Sequence, residues 1–66
     1  MIELEVNGEH RRLEGVSTVA ELLAHLEISG RLAVERNGVI VPRSRHGEER
    51  LAPGDTIEIV HAVGGG

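Results

Sequence analysis

The sequence ends in three glycines, Gly64, Gly65 and Gly66, which carry no side-chain chemistry. Any reaction there must use the backbone or a terminal carboxylate, which has a pKa of about 3.5 and is therefore an ionised nucleophile at neutral pH. Because glycine has no Cβ, such a segment can pass through a narrow channel and adopt backbone angles closed to other residues. A reaction at this end would therefore take place on the carboxylate of Gly66, with Gly64 and Gly65 as the segment that enters a partner's channel.

Composition leaves few other reactive groups. The chain has no Cys, which excludes disulfides and thiolate chemistry, and its four histidines lack the spacing of a metal site, so we expect no bound metal. It has no aromatic residue for base stacking, and a net charge of -4 argues against binding to nucleic acid. No apolar run approaches the ~20 residues that cross a bilayer, so we expect a cytoplasmic chain without a membrane segment.

Alternating apolar residues predict about five strands. Ile2, Leu4 and Val6 alternate with glutamates in the first of them. Asn7-Gly8 and Asn37-Gly38 are dipeptides typical of two-residue hairpin turns, the second being the stronger signal. The predicted strands span residues 1–6, 10–13, 31–36, 39–41 and 56–63, and residues 43–50 are expected to form a solvated loop.

One helix is predicted between the second and third strands. Thr18 and Glu21 fit a capping box, apolar residues recur at helical spacing from Val19 to Leu26, and Gly30 is expected to terminate the helix. Strands with a single helix indicate an α+β fold, with the helix packed on one face of a mixed sheet. With the first and last strands side by side at its centre, this is the β-grasp arrangement of ubiquitin. We expect residues 1–63 to form this domain and 64–66 a flexible tail.

The last strand is apolar on both faces near its end, which predicts a surface for docking a partner. The candidate interface residues are Glu58, Val60, Ala62 and Val63. We expect Glu3 and Glu5 to join Glu58 in an acidic patch, and Val39 or Val41 to extend the apolar part. A plain solvated face, or burial under the 43–50 loop, is the alternative.

Four segments together resemble the ThiS family of thiamine-pathway sulfur carriers. They are the stretch from Asn37 to Arg43, the stretch from Leu51 to Val60, the helix opening Thr18 to Leu23, and the terminal glycines. The similarity extends over essentially the whole chain. It implies that the chain is no enzyme but a carrier and co-substrate, a monomer when free, with no cofactor of its own.

The resemblance also implies a route for the sulfur. A ThiF-like activating enzyme would adenylate the Gly66 carboxylate with ATP and Mg, and a sulfur donor would then convert it to a thiocarboxylate. A ThiG-like thiazole synthase would receive the sulfur. Three alternatives remain open: a sulfur carrier for 2-thiouridine in transfer RNA, molybdopterin or cysteine; a ubiquitin-like protein modifier; and an interaction domain whose glycines are inert.

Overall fold

A computed structural model describes residues 1–61 of the protein; the glycine tail, Ala62 and Val63 lie outside this range. Its elements are β1 (Ile2–Val6), β2 (Glu9–Leu13), α1 (Val19–His25), β3 (Leu32–Arg36), β4 (Val39–Val41), a 3₁₀ helix (Arg43–Arg45) and β5 (Thr56–His61). The sheet order is β2-β1-β5-β3-β4. Among the strands of residues 1–61, β1 and β5 pair in parallel at the centre of the sheet, and the other neighbours pair antiparallel. The predicted mixed sheet of five strands, with the first and last strands adjacent, is confirmed.

Both predicted hairpin turns form. Asn7 and Gly8 have φ of 50° and 82°, and Asn37 and Gly38 have φ of 53° and 84°. Two consecutive positive φ angles define a type I′ turn, which asparagine and glycine tolerate better than other residues. The two-residue Asn37-Gly38 turn places Arg36 directly opposite Val39, and this fixes the register of the whole β3–β4 pair.

The start of α1 follows the predicted capping box. The Thr18 hydroxyl accepts a hydrogen bond from Glu21 N–H at 3.2 Å, and the Glu21 carboxylate accepts from the backbone N–H groups of Ser17 and Thr18. The hydrogen bond from the Ser17 hydroxyl is the largest of the contacts that lower the Glu21 pKa. The 43–50 loop also packs here, because Ala20 N–H donates to the His46 carbonyl at 2.9 Å. That loop is therefore attached to the helix as well as solvated.

The prediction that Gly30 terminates α1 is wrong. The helix ends at His25, and the reversal takes place at Glu27, whose φ is 58°. Ile28 N–H then donates to the Leu23 carbonyl at 3.0 Å, the bond that closes a Schellman motif. Ile28 packs against the core, so the chain must turn back at this point, and Glu27 adopts the left-handed conformation that glycine favours.

The core lies between α1 and one face of the sheet. Its fully buried side chains are Leu4, Val19, Leu22, Val34 and Ile57. The opposite face of the sheet, which we call the outer face, has no helix packed on it within residues 1–61. In the same range, no helix is long and apolar enough to cross a membrane. The outer face is therefore not covered by a helix within the described residues.

Candidate functional site

Strand β5 divides its side chains between the core and the outer face. Ile57 and Ile59 are buried, whereas Glu58 and Val60 are exposed, Val60 to 62%. Because strand residues alternate between faces, Glu58 and Val60 point away from α1. Of the predicted interface residues, these two therefore lie on the outer face. The others, Ala62, Val63 and Gly64 to Gly66, are outside the described residues.

Strands β3 and β4 supply outer-face residues that the sequence patterns did not single out. Ala33 is opposite Val60 in the register of β3 with β5, and Glu35 is opposite Glu58. On the other side, Glu35 is opposite Ile40, which is 65% exposed. Directly paired residues point to the same face of a sheet. The outer face therefore carries a pair of carboxylates, Glu35 and Glu58, with three apolar residues around them: Ala33, Ile40 and Val60.

The expected contribution of Val41 to this surface is wrong. Val41 is 4% exposed because it pairs with Val34 in the core. Val39 is exposed but pairs with Arg36, so it points to the same side of the sheet as α1. Because side chains alternate along β4, Ile40 is its residue on the outer face. The Asn37-Gly38 turn was the signal that could have found it, since a two-residue turn and an inward Val34 together require Ile40 to point outward.

The expected acidic patch of Glu3, Glu5 and Glu58 forms only in part beside Val60. Glu3 and Glu5 are exposed, but the parallel register places Glu5 beside Thr56, four residues before Val60. At 3.3 Å per residue, Glu3 then lies about 20 Å from Val60 along the strand direction. Glu3 is instead within 3.4 Å of His10 and 3.3 Å of Arg12 on β2. Glu35 lies directly opposite Glu58, and Glu5 lies about 7 Å from Glu58 along the strand direction.

A buried carboxylate fixes the point at which β5 begins. Asp55 is 6% exposed and accepts hydrogen bonds from Arg36 Nε at 2.6 Å, Asn37 Nδ2 at 2.9 Å and Ala52 N–H at 2.8 Å. Burial alone would raise the pKa of Asp55, but the hydrogen bonds from Ala52, Asn37 and Arg36 outweigh it and keep the pKa below its ordinary value. Arg36 also contacts Glu49 at 3.2 Å. This network attaches the start of β5 to the β3–β4 turn.

An asparagine side chain holds β5 further along. The backbone of β1 leaves the sheet at Asn7, beyond which β5 has no strand partner on that side. The Asn7 amide replaces that partner: Oδ1 accepts from Ile59 N–H at 2.7 Å, and Nδ2 donates to the Ile59 carbonyl at 3.1 Å. A side-chain amide has the same donor and acceptor as a peptide group. Asn7 thereby continues the β1–β5 pairing by one more residue.

At the end of β5, two arginines flank a shallow depression in the outer face. Its volume is about 300 Å³, and it is lined by Arg31, Leu32, Ala33, Arg43 and Val60. Leu32 is opposite His61, the last described residue of β5, so Arg31 lies at the same end of the sheet. The sequence patterns gave no reason to select these arginines. The depression is adjacent to the position from which the chain continues to residue 62.

This geometry is accompanied by a match over almost the whole sequence. A family model described as the ThiS family matches residues 4–66. The chain belongs to the ThiS family. Within that family it is 38% identical over 65 residues to the sulfur carrier protein ThiS of Bacillus subtilis, a match that covers 96% of this chain and 98% of the relative.

Two other relatives of this ThiS-family chain are longer proteins. It is 42% identical to a segment of the thiazole synthase of Paramagnetospirillum magneticum and 38% identical to a segment of that of Magnetococcus marinus. Each match covers 98% of the chain but 20% of the synthase, so the chain spans about a fifth of their length. Thiazole synthases of two bacteria thus contain a segment similar to this chain.

Solved structures confirm the predicted β-grasp fold of the ThiS-family chain. The crystal structure of the thiamine biosynthesis protein ThiS from Geobacter metallireducens superposes with a TM-score of 0.83 at 30% sequence identity, and the match covers 98% of this chain and all of the other. A solution structure of the thiamine biosynthesis protein from the same organism gives a TM-score of 0.79. The fold prediction from hairpin and capping signals was therefore right.

Within residues 1–61, the titratable groups of the ThiS-family chain do not gather into a metal site. No group of three or more His, Asp or Glu side chains in this range could hold a metal ion. Its most buried titratable group, Asp55, is fully used in the network that anchors β5. The described residues expose an outer face of mixed charge and apolar character.

Proposed function

We propose that this chain is a sulfur carrier of thiamine biosynthesis that bears sulfur on the carboxyl group of Gly66. The observation that carries the proposal is the 38% identity to the Bacillus subtilis sulfur carrier ThiS, with nearly complete coverage of both chains. The outer face supports it, because an exposed apolar surface bordered by charge suits a protein that acts by docking. The chain supplies the reacting atom, and its partners supply the catalysis.

The chemistry begins with a carboxylate oxygen of Gly66, which attacks the α-phosphate of ATP in the activating enzyme. The new bond joins that oxygen to phosphorus, and pyrophosphate leaves with the electrons of the broken bond. The carbonyl carbon now carries AMP as a good leaving group. Hydrosulfide from the sulfur source then attacks the carbonyl carbon, the bond from that carbon to the AMP oxygen breaks, AMP leaves with the electron pair, and loss of the proton from sulfur gives the thiocarboxylate.

We further propose two partners for this carrier. The first is a ThiF-like enzyme that forms the adenylate with ATP and Mg. The second is a ThiG-like thiazole synthase that takes up the sulfur; the two thiazole synthases that contain a similar segment support this choice. Both would contact the outer face near Val60 while Gly64 and Gly65 pass into a channel. Free of its partners, the carrier would be monomeric and located in the cytoplasm.

Intact-mass spectrometry tests the proposal directly. The chain is incubated with a ThiF-like enzyme, ATP, Mg and a sulfur source, and we expect a mass corresponding to one oxygen replaced by sulfur. A variant that lacks Gly65 and Gly66 is the matched control and should stay unchanged. Another carrier of the family, tested with the same enzyme, is the positive control. The proposal is overturned if that carrier gains sulfur and the mass of this chain stays unchanged.

The same preparation separates the possible products. The thiocarboxylate form is mixed with a thiazole synthase and its other substrates, and we expect the thiazole product to appear together with the original carboxylate mass. Unchanged thiocarboxylate with an active synthase would assign the sulfur to another pathway. A mass increase on lysine residues of other proteins would instead indicate a protein modifier.

A further inference from the structure

The outer face has charges of opposite sign at its two ends. Toward the middle of the sheet lies the pair of glutamates Glu35 and Glu58, directly opposite each other on β3 and β5. Toward the end of β5 lie Arg31 and Arg43, both exposed, at the depression that Val60 also lines. The register places Val60 between the two groups. Acidic, apolar and basic positions thus follow one another toward the end of β5.

The spacing of these groups is set by the strands. Glu58 and Val60 are two residues apart, which is about 7 Å along a strand, and Arg31 comes two residues before Ala33, the partner of Val60. The acidic pair and the arginines are therefore roughly 10–15 Å apart. This separation is long enough for a partner to contact each group with a different side chain, and short enough for one interface to include both.

Neither end of this arrangement is neutralised within residues 1–61. No cation of that range forms a salt bridge with Glu35 or Glu58, and no carboxylate there forms one with Arg31 or Arg43. Like charges directly opposite in a sheet destabilise it, and a cation from a partner would relieve that repulsion. Complementary charges across an interface mainly determine orientation and the rate of association.

We propose that the activating enzyme binds the outer face in one orientation by charges that mirror it. The enzyme carries a basic side chain opposite Glu35 and Glu58, an apolar pocket for Val60, and acidic side chains opposite Arg31 and Arg43 at the mouth of the channel. This inference rests on the proposed function and specifies the chemistry of its first partner. The arginines are assigned to the channel mouth because the depression that they line is at the end of β5 from which the chain continues to residue 62.

Charge reversals on the two ends test this arrangement. Glu58→Arg and Arg43→Glu change the net charge in opposite directions. Each is compared with an exposed site that belongs neither to the acidic pair nor to the depression: Glu14→Arg and Arg50→Glu. Association of each variant with the activating enzyme is measured by stopped flow at low and high salt. We expect both outer-face reversals to slow association about tenfold at low salt, less at high salt, and the two controls to slow it far less.

Several outcomes would overturn the inference. Faster association of the Arg43→Glu variant would mean that the whole enzyme surface facing the carrier is basic. Faster association of the Glu58→Arg variant would mean that this whole enzyme surface is acidic. Effects equal to those of the controls would mean that only net charge matters. Far-ultraviolet circular dichroism verifies that each variant is folded. If wild-type protein and all four variants gain sulfur with the same kcat/KM, the inference about charge is wrong and the proposed function stands. If wild-type protein gains no sulfur, the proposed function itself is wrong.

Discussion

Replacing Asp55 with Asn tests whether charge at the start of β5 stabilises the fold. The Asp55 carboxylate accepts hydrogen bonds from Arg36, Asn37 and Ala52 at 2.6 to 2.9 Å. An Asn side chain has one accepting oxygen, and its other end is an NH₂ donor. At least one of the three surrounding donors would then face another donor, and the ionic contact with Arg36 would be lost.

The size of the effect follows from these contacts. A hydrogen bond that involves a charged group contributes about 1.5–3 kcal/mol, and a neutral one contributes about 1 kcal/mol. Loss of the ionic bond from Arg36 and weakening of the others gives an expected decrease of about 3 kcal/mol in the free energy of unfolding. At about 0.05–0.15 kcal/mol per residue, a chain of this length has only about 3–10 kcal/mol in total. The variant should therefore be clearly less stable at neutral pH.

The pH dependence has a definite sign. The pKa of Asp55 is lower in the folded chain than its ordinary value, because the hydrogen bonds that it accepts outweigh the effect of burial. A group of this kind stabilises the fold above its unfolded pKa of about 3.9 and loses that contribution as pH falls through the folded pKa. The difference between wild-type protein and Asp55→Asn should therefore be full at neutral pH and shrink below a pH of about 4.

Urea unfolding followed by far-ultraviolet circular dichroism measures the effect, since the chain has no aromatic residue to report by fluorescence. Glu14→Gln removes a charge from an exposed carboxylate and is the matched control. A stability difference that stays the same from neutral to acidic pH, or one no larger than that of the control, would refute the role assigned to the Asp55 charge.

Two further predictions concern β5 and the outer face. Asn7→Gly removes the two hydrogen bonds to Ile59 and should lower the free energy of unfolding by about 2 kcal/mol. Asn7→Ala should lower it by about 1 kcal/mol more, because the φ of 50° at this position is unfavourable for alanine. Equal urea midpoints for wild type and both variants would contradict this prediction. Val60→Arg should weaken binding to the activating enzyme at least about tenfold, whereas Val39→Arg, equally exposed on the other face, should not. Titration calorimetry with wild-type protein as reference measures both, and equal affinities would place the docking surface elsewhere.

The fold was predictable because its signals are local. The asparagine-glycine dipeptides require positive φ at adjacent positions, and the capping box at Thr18 satisfies backbone groups within one helical turn. Such signals identify elements without knowledge of their neighbours. The end of α1 was mispredicted because it depends on a distant contact. Packing of Ile28 against the core places the left-handed residue at Glu27, although Gly30 is the better former of that conformation.

The candidate site was only partly predictable, since it depends on register between strands. Glu58 and Val60 were found because both lie on β5, where alternation alone determines the face. Ile40 and Glu35 belong to other strands, and their position next to Glu58 follows from pairings that alternation within one strand does not contain. Arg31 lies just before β3 and Arg43 lies in the 3₁₀ helix, so neither belongs to a strand in which alternation determines the face.

Rigid attachment of β5 links docking to the position of the chemistry. Its start is held by the Asp55 network, its middle by Asn7, and its far end by pairing of His61 with Leu32. The outer-face residues of β5 belong to this same fixed strand, so docking on that face fixes the point from which residues 62–66 continue. Five residues extend at most about 17 Å. Under the proposed function, a partner that binds the outer face must therefore place its ATP or its sulfur acceptor within that distance of His61.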